Sequence, residues 1–117
     1  DLVVSGPSTI SIDAAAFDKP VVLVGFDGQQ GRPYKESVRR FFDYEHQQPI
    51  IASGGARLAK SVAEFKELLR VYFADPTRDR AGRQRIIQEQ CFRLDGQSSR
   101  RVADILLQHL RREPAAA

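Results

Sequence analysis

The sequence predicts an α/β fold: part of a doubly wound, Rossmann-like domain with about three parallel strands and helices. Two Val-rich runs, DLVV at residues 1–4 and PVVLV at 20–24, are apolar almost throughout, as strands buried on both faces are. The segment between them has room for one tight turn and one short helix, which makes a βαβ unit. A Ser-x-x-Glu capping box at Ser61 and Glu64 then opens an amphipathic helix further along the chain.

The turn Ser5-Gly6-Pro7-Ser8-Thr9 follows the first strand. Gly6 allows a tight backbone, Pro7 fixes φ, and Ser8 or Thr9 is the expected N-cap of a helix over ISIDAAAFDK. Free amides at such a turn, above the carboxyl end of a strand, suit a phosphate. Asp13 stands one turn into that helix, where its charge also favours the helix dipole.

After the second strand, residues 26–36 (FDGQQGRPYKE) read as a long polar loop, in the place where open parallel sheets bind ligands. Tyr34 and Lys35 in it are candidates to engage a ligand's anionic or hydroxyl groups. A short helix is expected over Glu36–Phe42, and the mouth of the same crevice is expected to be lined by Tyr44 and by His46. An imidazole titrates near neutrality, so His46 is also a candidate proton donor or phosphate partner. Pro49–Ala52 is read as the third strand, ended by Ser53-Gly54-Gly55, whose amides would then face the same ligand.

From Ser61 a helix is expected to about Ala74, with Val62, Phe65, Leu68, Leu69 and Tyr72 on one face. Asp75-Pro76 stops it. Thr77–Phe92 is expected to be a second helix, with Ile86, Ile87 and Cys91 inward and Gly82 a weak point. Asp95-Gly96 makes a turn, and Ser98 or Ser99 caps a last helix with Val102, Ile105, Leu106 and His109 or Leu110 inward. The tail from residue 113 is expected to fray.

At 117 residues the chain is one domain's worth of sequence. It contains no Met and opens directly on an apolar strand, which reads as an excised segment of a longer protein whose missing strands precede Asp1. No apolar run approaches the roughly 20 residues of a membrane-spanning helix. One Cys excludes an internal disulfide framework and two scattered His supply no metal site, so a reducing, cytoplasmic setting is expected.

The formal charge is +3, with Arg clustered at 39–40, 78–85, 100–101 and 111–112. These clusters read as solvated helix faces, with an anionic membrane surface or an anionic substrate as the functional alternatives. Nucleic acid is not expected, because no aromatic-plus-basic pattern of a known binding module is present. A serine-hydrolase elbow and a P-loop are also absent from the sequence.

The stretches STISIDAAAFDKPVV, GFDG, FFDYEH, PIIASGG and LDGQSSRRVADILL occur in an order that resembles the C-terminal end of GT-B fold enzymes using nucleotide-activated donors. The likeness is to the CDP-glycerol glycerophosphotransferase-like family and its bacterial glycosyltransferase relatives, over nearly the whole chain.

That resemblance implies that residues 1–113 are the C-terminal, donor-binding part of a GT-B domain and 114–117 a disordered tail. Ser8 and Thr9 would hold the donor diphosphate, and Asp13, where the family usually has Glu, would reach donor hydroxyls. The partners implied are a nucleotide diphosphate donor and the rest of the enzyme, which carries the catalytic base. No cofactor and no metal is called for. The rival readings are a nucleotide-sugar epimerase of the same fold, and a non-catalytic α/β interaction module such as a receiver.

Overall fold

The computed structural model describes residues 1–112. The expected tail at 113–117 lies outside the described residues. Three strands, β1 (Val3–Ser5), β2 (Val21–Val24) and β3 (Ala56–Ala59), form one parallel sheet in the order β1-β2-β3. Helix α1 (Ile10–Ala16) crosses from β1 to β2. Between β2 and β3 come a 3-10 turn at Tyr34–Glu36, α2 (Arg39–Phe42) and α3 (Gln48–Ala52). Helices α4 (Val62–Ala74), α5 (Arg80–Gln90) and α6 (Ser98–Arg112) follow. The expected open parallel α/β sheet, a partial Rossmann-like arrangement, is what the chain forms.

The run at β2 is apolar because β2 is central. Val21, Val22 and Leu23 are all buried, with alternate side chains entering opposite layers. On one face Val21 and Leu23 join Ala14, Ala15, Phe42, Ile50, Ala56 and Ile86, from α1, α2, α3, β3 and α5. On the other, Val22 and Ala59 pack with Tyr72, and Phe65, Leu68 and Leu69 of α4 close over them. Helices on both faces make the sheet doubly wound. Both outer edges, at β1 and at β3, are unpaired among the described residues.

The third strand is not where it was expected. Residues 49–52 are helical, and the strand is Ala56–Ala59. Pro49 sits in the first turn of α3, where its missing N–H costs nothing, and Ile50 is buried in the core. A short apolar run alone does not separate a strand from one buried helical turn. Ser53 Oγ donates to the Ile50 carbonyl at 2.6 Å, and Gly54, at φ 75°, ends the helix.

Other boundaries move for local reasons. The helix expected over Glu36–Phe42 is split, because Ser37 is extended and its buried hydroxyl accepts from Arg39 N and Nε at 3.1 and 2.9 Å. The first helix stops at Ala16, short of Lys19, and Asp18 turns left-handed at φ 52°. Asp79, at φ 62°, delays α5 to Arg80.

Helix α4 follows its capping box closely. Ser61 Oγ accepts from Glu64 N at 3.2 Å, and the Glu64 carboxylate accepts from Lys60 N at 2.8 Å, one residue before the cap. Gly82 of α5 packs backbone to backbone on Gly55, so a Cβ on either residue would overlap the other's main chain.

The inward face expected for α6 is a correction. Val102, Ile105, Leu106 and Leu110 are each at least half exposed, and α6 belongs to neither core. No described element lies beneath that stripe. The radius of gyration is 18.8 Å, against about 13 Å for a compact chain of this length, as a projecting helix requires.

Candidate functional site

Parallel strands end on one rim, and the loops that leave it are where such sheets bind ligands. Three connections leave this rim: Ser5–Thr9 after β1, Gly25 onward after β2, and Lys60-Ser61 after β3. The register pairs Ser5 with Leu23 and Leu23 with Leu58, so the three exits stand in a row.

Gly25 lets β2 pass close under its neighbour. A Cβ there would lie 2.6 Å from Leu58 Cδ1 and 3.1 Å from the Ala59 carbonyl oxygen. Asp27 closes the loop that follows: its Oδ1 accepts from Val38 N at 2.8 Å. The Ser37 hydroxyl, and after it the Val38 amide, hold the Asp27 carboxyl below its ordinary range.

Above β2 and β3 this loop walls a cavity of about 420 Å³, lined by Tyr34, Arg39, Asp43 and Lys60 over Gly25 and Leu58. A second hollow of about 250 Å³ adjoins it, lined by Asp27, Gly28, Gly31 and Ser61, and again by Arg39 and Lys60. A third, of about 460 Å³, runs on from Asp43 and Lys60 along the free edge of β3. The first is large enough for a small ligand.

The acids of these hollows already accept hydrogen bonds from the protein. Tyr34 O–H donates to Asp43 Oδ2 at 2.6 Å, and that carboxylate raises the Tyr34 pKa. Arg39 and Lys60, by contrast, make no ion pair among the described residues. Arg39 is held in place by Ser37 and by the Arg32 carbonyl at 3.1 Å. Arg39, so held, and the exposed Lys60 thus stand beside Asp27 and Asp43 in adjoining hollows, two cations with two carboxylates, and the cations are the groups there that an anion would meet.

The residues expected to share one crevice divide into four groups. Ser5, Gly6, Pro7, Ser8 and Thr9 form the turn at the β1 end of the rim, with Gly6, Ser8 and Thr9 exposed. Ser8 Oγ accepts from Ile10 N at 3.3 Å, Ser11 Oγ donates to the Ser8 carbonyl at 3.1 Å, and Thr9 makes no side-chain cap. Helix α1 spans only seven residues, so its dipole is small, and the turn offers amides and hydroxyls rather than a strong field. Asp13 is exposed on α1.

Tyr34 lines the main cavity. Tyr44 and His46 do not: Tyr44 packs edge-on against Phe41 at 5.8 Å and tilts against His46 at 5.8 Å, on the exposed stretch before α3. Ser53-Gly54-Gly55 precedes β3 instead of following it, so this turn stands at the amino end of that strand, away from the ligand rim. Glu45 and Lys35 are exposed, and Cys91 is a partly buried free thiol.

The sequence reading does not single out Lys60, and it names Arg39 only within the basic cluster at 39–40, for which an anionic substrate is one alternative. With the third strand read at 49–52, Lys60 stood at no strand end. The capping box was the available signal: Ser61 must open a helix, so a strand leading into it would end at Ala59 or Lys60. Among the described residues no cluster of three or more His, Cys, Asp or Glu could hold a metal ion, and no helix is long and apolar enough to cross a membrane.

Compared with known proteins, the chain matches no family model, no curated protein and no solved structure.

Proposed function

We propose that this chain is the donor-binding portion of a transferase that moves a glycosyl or glycerophosphoryl group from a nucleotide diphosphate donor to a cell-envelope polymer or lipid-linked acceptor. The observation that carries this reading is the pair of cations without ion-pair partners among the described residues, Arg39 and Lys60, lining adjoining hollows on the carboxyl rim of a parallel sheet whose β1 end carries the Ser5–Thr9 turn. The GT-B resemblance supports it independently, through the motifs that flank the same turn.

In this reading the diphosphate lies along the rim. The amides and hydroxyls of Ser8 and Thr9 meet it at one end and the Lys60 ammonium at the other, and together they stabilise the charge that builds on the leaving diphosphate. Tyr34, held by Asp43, orients the remainder of the donor. The rest of the enzyme supplies the catalytic base and the acceptor site, on the cytoplasmic side where nucleotide donors are made.

Calorimetry with CDP and UDP, and with inorganic phosphate as control, tests the site. Both nucleotides should bind more tightly than phosphate, and Ser8→Ala with Thr9→Val should weaken them about tenfold or more, the cost of losing a hydrogen bond to a charged group. Unchanged affinity in the double variant, or no nucleotide binding at all, overturns the reading.

A further inference from the structure

Helix α6, at 15 residues, is the longest helix among the described residues. Its apolar side chains recur at helical spacing, Val102, Ile105, Leu106 and Leu110, with Ala103 and His109 on the same side. All four of the large residues are more than half exposed, as are Phe92 and Leu94 in the link from α5. A lone helix of this length is marginal in water, and its stability comes from burying its apolar face. A contiguous stripe of this kind marks a docking surface.

The distribution of charge says what docks there. Residues 93–112 carry five Arg against two Asp, whereas residues 1–92 carry thirteen Lys and Arg against twelve Asp and Glu. The net positive charge of the chain thus lies in the segment that bears the unpartnered stripe. Arg100, Asp104 and Arg111 fall on the helix face opposite it, which also carries the exposed Leu107. Arg101 is engaged by Asp95 through two 2.9 Å hydrogen bonds and lies 5.6 Å from the Phe92 ring centre, which fixes the start of the helix against the link.

The charge excess of this segment, five Arg against two Asp, complements an anionic surface rather than a second, equally basic copy. A polar face rich in Arg, a broad apolar stripe and a low mean hydropathy are the features of a helix that lies in a bilayer interface.

We propose that α6 docks on an anionic lipid surface, with Val102, Ile105, Leu106 and Leu110 inserted among the acyl chains and its arginines among the phosphate headgroups. This surface shares no residue with the donor rim, so the two readings stand or fall separately.

Sedimentation of the full chain with vesicles tests it. Mixed phosphatidylglycerol and phosphatidylcholine vesicles should bind the chain at least about tenfold more tightly than phosphatidylcholine alone, and high salt should remove the difference. Helicity should rise on binding. Ile105→Glu with Leu106→Glu should abolish binding, and Arg100→Gln with Arg111→Gln should weaken it about fivefold per arginine. Neither variant touches a core, so both should keep the unfolding transition of the sheet. No binding to the anionic vesicles, or equal binding by the arginine variant, overturns the proposal. So does a solution dimer that Leu106→Glu dissolves in a chain that ignores vesicles.

Discussion

Arg83 reaches from α5 to Asp18, just past the end of α1, with Nε and a terminal nitrogen both 2.9 Å from one carboxylate oxygen. The guanidinium is 1% exposed, and its other donors go to the carbonyls of Arg78 at 2.7 Å and Pro76 at 3.1 Å. Arg80 reaches the other Asp18 oxygen at 2.7 Å. The clamp ties the far end of α1, whose near end carries the Ser5–Thr9 turn, to the helix that closes the same face of the sheet.

Removing that guanidinium should be costly, because it leaves the Arg78 and Pro76 carbonyls without their donor and Asp18 with Arg80 alone. Arg83→Met keeps the apolar stem and should destabilise the chain by about 2–3 kcal/mol, below the usual cost of breaking a fully buried pair because Asp18 is partly solvated. Urea denaturation measures it, and a variant as stable as the parent would show that the clamp is dispensable.

The same clamp sets a pH dependence. Hydrogen bonds from Arg80 and then Arg83 hold the Asp18 carboxyl below its ordinary value of 3.8. Its contribution is therefore complete above that value and is lost as pH falls through the lower, folded one. Arg101 likewise holds Asp95 down at about 2. Stability should drop between about pH 4 and pH 2, and Asp18→Asn should flatten that drop while lowering stability at neutral pH.

Gly82→Ala separates propensity from packing. Within a helix Ala is favoured over Gly by about 1 kcal/mol, yet here the new Cβ would strike the Gly55 backbone. Overpacking against main chain has no flexible neighbour to yield, so the variant should be less stable by about 2 kcal/mol. A rise in melting temperature would mean that α5 can shift away from the Gly55 turn at little cost.

Lys60→Ala addresses the rim. The ammonium has no ion-pair partner among the described residues, so its removal should leave stability within about 0.5 kcal/mol. Nucleoside diphosphate affinity should fall about tenfold and become less sensitive to salt. Equal affinity and salt slope would remove Lys60 from the site.

Part of the site was legible before the fold. The turn Ser5–Thr9 and Tyr34 both stand where a βαβ unit and its loop put them, because strand ends and Gly-Pro turns are local properties. Tyr44 and His46 were misplaced for want of a register: residues that follow a loop in sequence need not line its mouth. Lys60 was hidden by the misread strand. Ala56, Leu58 and Ala59 carry too little apolar surface to stand out, while Ile50 and Ile51 carry enough to mislead.

The apolar runs of β1 and β2, the capping box of α4, the stop at Pro76 and the amphipathic stripe of α6 can all be read from the chain, since each depends on neighbours within a few residues. Tertiary structure alone decided that Ala56–Ala59 is a strand, that Arg83 is a buried clamp, that Gly82 must stay small against Gly55, and that the α6 stripe faces outward. Those four outcomes depend on what lies across the fold: a strand of small residues holds only by pairing with β2, and a charge is buried only where distant oxygens meet it.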